Sequence, residues 1–205
     1  MAKRPSKTAA LAQAKALLTK IILVDGHNDV PWVIRCDPHA RGDVAKFRFD
    51  KKHPEADVDI PKMRAGLVGA QVHAAYLPTD IAHPATVTLE QIDIIHQIER
   101  LHAEVFMPVR QVSDIAKARR AGKIASITSV EGSVGLEGSL APLRQWHALG
   151  MRVMTLCHNG TLPWIDSATD AKRHDGLTVF GKQIVRELNR LGVLVDLSHG
   201  SPKAA

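Results

Sequence analysis

The chain has 205 residues, of which 45% are hydrophobic and 23% charged, with 14 Gly, 11 Pro and 2 Cys. This composition is typical of a globular domain and excludes collagen, disordered chains and disulfide-rich scaffolds. The formal net charge is +6, but residues 1–20 hold five Lys or Arg and no acid, so the nearly neutral remainder does not predict a nucleic-acid-binding face.

The first segment, residues 1–20, is predicted to be a basic amino-terminal extension with a helix over residues 8–20, ahead of a single domain at residues 21–205. Its apolar residues are interrupted by polar ones, so we expect neither a signal peptide nor a membrane span. The two cysteines, Cys36 and Cys157, form no CxxC pair, which favours a reducing compartment. The prediction is a cytoplasmic protein.

Short apolar runs alternate with helical patterns along the rest of the chain. Runs typical of strands buried on both faces cover residues 21–24, 68–77, 124–130, 153–157 and 193–197. Apolar stripes at helical spacing lie between them, and Gly122, Gly150 and Gly192 each separate a helical segment from the next strand. The pattern predicts an α/β fold with parallel strands.

Two stretches lack a clear period. Residues 37–62 are rich in Pro, Asp, Lys and Gly and are predicted to form a long loop after the first strand. Residues 161–176 form a second irregular stretch, again after a strand. Long loops in such positions often carry functional residues.

Four predicted strands end in an imidazole, a carboxylate or both. The first predicted strand is followed by Asp25, His27 and Asp29. The third strand is followed by Glu131, the fourth by His158 and the fifth by His199. Ligands of parallel α/β folds gather at the carboxyl ends of strands. These side chains therefore predict one shared site.

Imidazole and carboxylate together suit a borderline divalent metal such as zinc. In extended backbone, His27 and Asp29 lie on the same face, because side chains alternate along a strand. Glu131 has two oxygens, so it can join this pair and bridge to a second metal held by His199. The alternative for each single histidine is a hydrogen-bonded structural role, and His73, inside the second strand, is predicted to be a core or barrel-lining residue.

Other catalytic classes find little support in the sequence. Cys157 and His158 are neighbours on a strand and point to opposite faces, which argues against a nucleophilic pair. No GxSxG elbow or phosphate-binding glycine loop occurs. Gly132 and the glycines after it are expected to let the backbone turn beside Glu131.

Several motifs in order resemble the membrane (renal) dipeptidase family of zinc metallopeptidases. They are residues 22–32, 65–71, 129–132, 154–159 and 194–199. The resemblance implies a (β/α)₈ TIM barrel, of which this chain holds about the first five strands, and a two-zinc site that hydrolyses dipeptides. It further implies that His27 and Asp29 ligate the first zinc, that Glu131 bridges both, and that His199 ligates the second.

The same resemblance implies that His158 faces the substrate and stabilises the oxyanion and that a metal-bridging hydroxide is the nucleophile. Asp25 has the same strand parity as His27 and Asp29 and is predicted to orient these ligands from behind. Family chains are longer and carry another His, an Arg and an acidic proton donor that have no counterpart here. An eight-stranded barrel typically needs about 250 residues. We therefore expect a truncated member with open sheet edges, weak occupancy of the second metal, and self-association or a partner half.

Three functional interpretations remain open at this point. The first is a dipeptidase that acts on dipeptide substrates, without a nucleic-acid or membrane partner. The second is an inactive remnant or subunit that binds one metal or a partner half. The third is another binuclear amidohydrolase, for example one that acts on cyclic amides.

Overall fold

A computed structural model describes residues 4, 6–53 and 56–205, and its centre is a six-stranded parallel sheet. The strands are β1 (Leu23–Asn28), β2 (Val68–Tyr76), β3 (Phe106–Pro108), β4 (Ile124–Glu131), β5 (Met151–Thr155) and β6 (Leu194–Asp196). Their order is β1-β2-β4-β5-β6, and β3 pairs with the first residues of β4. The α/β class with a partial barrel is confirmed. The sixth strand, β3, was not predicted, because three residues are too few to show a period.

The connections between strands contain the helices. These are α1 (Lys7–Leu18), α2 (Val30–Cys36), α3 (Val44–Phe47), α4 (Ile60–Ala65), α5 (Pro84–Leu101), α6 (Val112–Arg120), α7 (Ala141–Leu149) and α8 (Val179–Leu191), with a 3-10 turn at Ser133–Leu136. As predicted, α7 and α8 end at Gly150 and Gly192, whose positive φ angles of 115° and 69° suit glycine. Among the described residues, no helix combines the length and apolar character that crossing a membrane requires.

The amino-terminal helix α1 lies outside the core. It begins after Ser6, whose side chain accepts a hydrogen bond from the backbone N–H of Ala9, and it buries none of its residues. The predicted helix at residues 8–20 is thus present with its end moved to Leu18. Its division from residues 21–205 as a separate extension stays a prediction.

Residues 37–62 differ from the predicted loop, although residues 54 and 55 lie outside the described part. They form α3 and α4, which begin after Asp43 and Asp59, and both carboxylates accept backbone N–H groups of the first turn. Five apolar residues of this stretch belong to the core, namely Ala40, Val44, Phe47, Phe49 and Ile60. Helices of four and six residues are too short for a helical period to show in the sequence.

The main core lies between the sheet and the helices on its outer face. It includes Leu143 and Trp146 of α7 and Ile184 and Leu188 of α8, all at most 1% exposed. Burial of such side chains contributes about 1.5–3 kcal/mol each relative to exposure. This packing leaves the carboxyl ends of the strands free to form the site.

Candidate metal centre and active site

The side chains that follow the strands meet at one cavity of about 860 Å³. His27 lies in β1, Glu131 is the last residue of β4, and His158 and His199 follow β5 and β6 by three residues each. The residues that line the cavity are Asp25, Gly26, His27, Asp29, Tyr76, Glu131, Val153, His158, Asp196, Ser198 and His199. A cavity of this size suits a small-molecule ligand.

Glu131 is the centre of this group. One carboxylate oxygen, Oε2, lies 3.2 Å from Nε2 of His27, and the other, Oε1, lies 3.2 Å from Nε2 of His199. The residue is only 5% exposed, and among the described residues its ion-pair partners are these two imidazoles. A buried carboxylate needs a positive partner, which a proton on each ring or a metal ion can supply.

His27 also lies 3.2 Å from Asp29, between its Nε2 and Oδ1 of the carboxylate. The hydrogen bond to Asp29, and next that to Glu131, raise the pKa of His27 to about 10 against the opposing effect of burial. The negative field that holds a proton here so firmly also attracts a metal cation. The extended pattern predicted that Asp29 lies in the strand, but Asp29 is instead the residue that precedes α2. This local turn still places its carboxylate beside His27.

The donor atoms fit a divalent metal. One ligand atom each from His27, Asp29 and Glu131 lies within 4.8 Å of the others, and the same holds for Glu131, His158 and His199. Tetrahedral zinc ligands about 2.1 Å from the ion are about 3.4 Å apart, close to the 3.2 Å seen around Glu131. Nitrogen and carboxylate oxygen form the donor set of many zinc sites, so these residues fit such an ion.

His158 lines the cavity, and its ring packs against another residue of the lining. Its ring lies edge-on to Tyr76, with centroids 4.8 Å apart, and the Tyr76 hydroxyl is 3.4 Å from Nδ1. Burial is the main cause that lowers the pKa of His158 below its usual value. The preceding Cys157 is fully buried in the core, and burial raises the pKa of its thiol to about 11, which agrees with the rejection of a Cys-His pair.

Two aspartates support the site from behind. Asp25 accepts a hydrogen bond from the backbone N–H of His27 at 3.2 Å, so it holds the main chain of His27 and not its ring. Asp196 accepts hydrogen bonds from the Thr155 hydroxyl at 2.6 Å and from the Ser198 hydroxyl at 2.7 Å. Burial opposes ionisation of Asp196, but these hydrogen bonds outweigh it and lower the pKa.

The sequence interpretation missed Tyr76, Asp196 and Ser167. Tyr76 is the last residue of β2, so its place at a strand end was an available signal. Ser167 lies in the irregular stretch 161–176 and reaches the site only through backbone carbonyl groups. No sequence pattern points to such a contact.

His73 lies away from the cavity, on the helix-facing side of the sheet. It is completely buried, its Nδ1 lies 3.1 Å from the Ser126 hydroxyl, and its ring packs edge-on against Phe106. Of the two predicted roles, the structure shows the core residue and not the barrel-lining one.

Comparison with known proteins gives a consistent result. The sequence model described as membrane dipeptidase (peptidase family M19) matches residues 11–205. Dipeptidase 3 of Mus musculus is 38% identical over 197 residues, which covers 92% of this chain and 38% of the relative. Dipeptidase 3 of Homo sapiens is 36% identical, with 92% and 39% covered. The chain thus spans about two fifths of the length of these curated relatives.

Solved structures share the fold. The probable dipeptidase PvdM from Pseudomonas aeruginosa superposes with a TM-score of 0.84 at 23% identity, covering 97% of this chain and 52% of that one. A metallo peptidase from Rhodobacter sphaeroides, liganded with a phosphinate mimic of the dipeptide L-Ala-D-Ala, gives a TM-score of 0.78 at 22% identity, covering 90% and 60%.

Proposed function

Since the chain belongs to the membrane dipeptidase family, peptidase family M19, we propose that its strand-end site hydrolyses the peptide bond of dipeptides with divalent metal ions, zinc by preference. The observation that carries the proposal is the carboxylate of Glu131, whose two oxygens each face a different imidazole at 3.2 Å. In this proposal His27, Asp29 and Glu131 hold one ion, and Glu131 and His199 hold the other.

Bound divalent ions supply Lewis acidity toward the scissile carbonyl and make water acidic enough to attack at neutral pH. Asp25 keeps the backbone of His27 in place, and the low exposure of Glu131 keeps bulk water from its carboxylate. His158 carries a ring N–H into the cavity, where it stabilises the negative charge that develops on the carbonyl oxygen. The Tyr76 hydroxyl beside Nδ1 orients this ring.

Support for the dipeptide as substrate comes from the family and from the Rhodobacter sphaeroides protein, which holds a mimic of L-Ala-D-Ala in the same fold. The test is hydrolysis of a dipeptide panel, including L-Ala-D-Ala, and of cyclic amides by the purified chain after chelation and again after Zn²⁺ addition. We expect zinc-dependent cleavage of dipeptides. Cleavage of cyclic amides alone would favour another amidohydrolase, and no cleavage with bound zinc would contradict the proposal.

A second candidate is a subunit that completes its sheet with another chain. In the described part of the chain, β1 pairs only with β2 and β6 only with β5. Val24 on β1 and Leu194 on β6 are 51% and 69% exposed, and such edges tend to find partners. Light scattering of the purified chain tests this candidate: a monomer at micromolar concentration would contradict it.

A cytoplasmic location also stays a prediction.

A further inference from the structure

A separate cavity, which we call the amino-end cavity, lies at the end of the sheet opposite the strand-end site. It has a volume of about 290 Å³ and forms where the first residues of β2 and β4 meet the segment that joins α1 to β1. Gly69 lines this cavity and Tyr76 lines the strand-end cavity, and their separation along β2 is about 23 Å. A small ligand bound at one cavity therefore does not reach the other.

Three cationic side chains line the amino-end cavity: Arg64 of α4, Arg119 of α6, and Lys123 just before β4. Among the described residues, the lining contains no acid. Arg119 donates one N–H to the carbonyl oxygen of Thr19 at 2.7 Å, and Lys123 donates one to that of Ala103 at 2.6 Å. Because a guanidinium has five N–H donors and an ammonium has three, most of these donors stay available for a ligand.

The carboxylates of the surrounding helices are paired with other cations. Asp114, the single acidic residue of α6, lies 2.7 Å from the ammonium of Lys117, and Asp59, which caps α4, lies 3.3 Å from that of Lys62. The helices α1 and α4 themselves contain no acidic residue. The described part of the chain therefore leaves the positive charge of the amino-end cavity without a facing carboxylate, and such a charge concentrates anions.

The rest of the lining is mostly apolar. Val105 and Ile124 are buried there, whereas Ile21 and Leu67 are exposed. Leu67 has a positive φ of 56°, which is uncommon for a residue other than glycine, in the turn that leads from α4 to β2. Small-molecule pockets combine apolar walls with a few polar groups that fix the orientation of the ligand. This lining suits a ligand that carries an apolar group beside its charge.

We propose that the amino-end cavity binds a small organic phosphate monoester. Arg64, Arg119 and Lys123 hold the phosphoryl oxygens, and the apolar group lies against Ile21 and Leu67. Three cations favour a dianion over a singly charged carboxylate, and the guanidinium fork matches two oxygens of a phosphoryl group. The volume is near the lower limit for ligand pockets, so the ligand is compact. This site is independent of metal binding and of dipeptide cleavage.

The test uses the chelator-treated and dialysed chain at pH 8, so that phosphate does not bind through a metal ion at the strand-end cavity. Calorimetry compares phenyl phosphate with inorganic phosphate, which supplies the charge alone, and with benzyl alcohol, which supplies the ring without the charge. We expect one phenyl phosphate per chain, and at least about 10-fold weaker binding of either partial ligand. Inorganic phosphate that binds as tightly as phenyl phosphate would overturn the proposed ligand class.

Arg119 and Arg120 provide a matched pair of variants, because they are neighbours on α6 and only Arg119 lines the cavity. Loss of a charge-assisted hydrogen bond should weaken binding of phenyl phosphate about 10-fold in Arg119→Gln and in Arg64→Gln, and Arg120→Gln should bind it unchanged. An equal loss in Arg120→Gln would overturn the inference, since it would show attraction by general surface charge. Absence of binding to the unaltered chain at millimolar phenyl phosphate would overturn it as well.

If the variants do not fold, amide NMR spectra of the unaltered chain locate the ligand. Phenyl phosphate should shift the N–H signals of Gly69 and Gly122, which line the amino-end cavity, and leave that of Gly26 at the strand-end cavity unchanged. Shifts at Gly26 without shifts at Gly69 and Gly122 would contradict the inference.

Discussion

His27 and His73 lie on neighbouring strands, and their surroundings give the two imidazoles opposite chemistry. The side chain of His27 is 39% exposed at the cavity and faces two carboxylates, which raise its pKa to about 10. His73 is completely buried beside Ser126 and Phe106, and burial lowers its pKa to about 4. The comparison shows that an imidazole becomes a candidate ligand through nearby negative charge and access, and not through its place on a strand.

The region around His73 is polar but closed. Gln71 and His73 on β2 and Thr128 on β4 are each at most 1% exposed, and each has one buried polar atom without a hydrogen-bond partner among the described residues. Phe106, which contacts His73, packs in turn with Ile94 and Ile98 of α5. The buried polar groups around Glu131, by contrast, open on a cavity and can receive a ligand.

The largest effect is expected from removing the carboxylate that defines the open region. Glu131→Gln keeps the size of the side chain but removes the charge shared by both imidazoles. Because even residues behind the ligands change metal affinity by about 10- to 100-fold, we expect at least about a 100-fold loss of affinity and of any dipeptide cleavage. Metal analysis and dipeptide assays measure this. Unchanged metal content would show that Glu131 is not a shared ligand.

The buried surroundings of His73 are expected to make the stability of the fold depend on pH. The pKa of His73 is about 4 in the fold, below its usual 6.5, so between these values the unfolded chain binds a proton that the native chain does not. His73 therefore favours the folded state fully above pH 6.5 and loses this contribution as the pH falls, by about 2 kcal/mol at pH 5.

Urea unfolding at pH 7.5 and pH 5 tests this contrast, with His73→Phe as the matched variant. Phe keeps an aromatic ring beside Phe106 and cannot be protonated. The free energy of unfolding should fall less in the variant than in the unaltered chain, by about 2 kcal/mol over this range. An equal fall in both proteins would show that the pH dependence of stability arises from groups other than His73.

An effect of similar size on stability is expected at the turn that follows Glu131. Gly132 has a φ of 91°, and an added Cβ would lie 3.2 Å from the carbonyl oxygen of Leu77. Gly132→Ala should destabilise the fold by about 1–3 kcal/mol through backbone strain. Gly26→Ala is the control, since that position has open space and an ordinary φ. Thermal unfolding compares the two, and equal midpoints would contradict the expected strain.

The two cysteine thiols show the same contrast between an accessible and a buried group, and it can be tested by chemical reactivity instead of by stability. Cys36 is exposed, whereas Cys157 is fully buried with a pKa raised to about 11 by burial. We expect iodoacetamide to modify Cys36 in the native protein and Cys157 only after unfolding. Mass spectrometry of the labelled chain, with Cys36→Ser as control, checks this. Rapid native labelling of Cys157 would show that its core opens readily.

Much of the fold followed from local pattern. The long strands β2 and β4 and the helices α5 and α8 have enough residues for their apolar period to show, and glycines mark the ends of α7 and α8. The helices α3 and α4 and the strand β3 were missed, because elements of three to six residues are too short to show a period. The two helices are stabilised instead by capping carboxylates and core contacts. The candidate site was predicted as a group of strand-end residues, without Tyr76, Asp196 or Ser167.

The order of residues alone determined that strands alternate with helices and that His27, Glu131, His158 and His199 stand at strand ends, because periodicity and turn residues are local properties. Only the tertiary structure decided which of these side chains lie close enough together to hold a cation, which oxygen of Glu131 faces which ring, and which histidine is buried in the core. Those outcomes depend on distances between strands far apart in the chain. Such distances arise from the packing of the curled sheet.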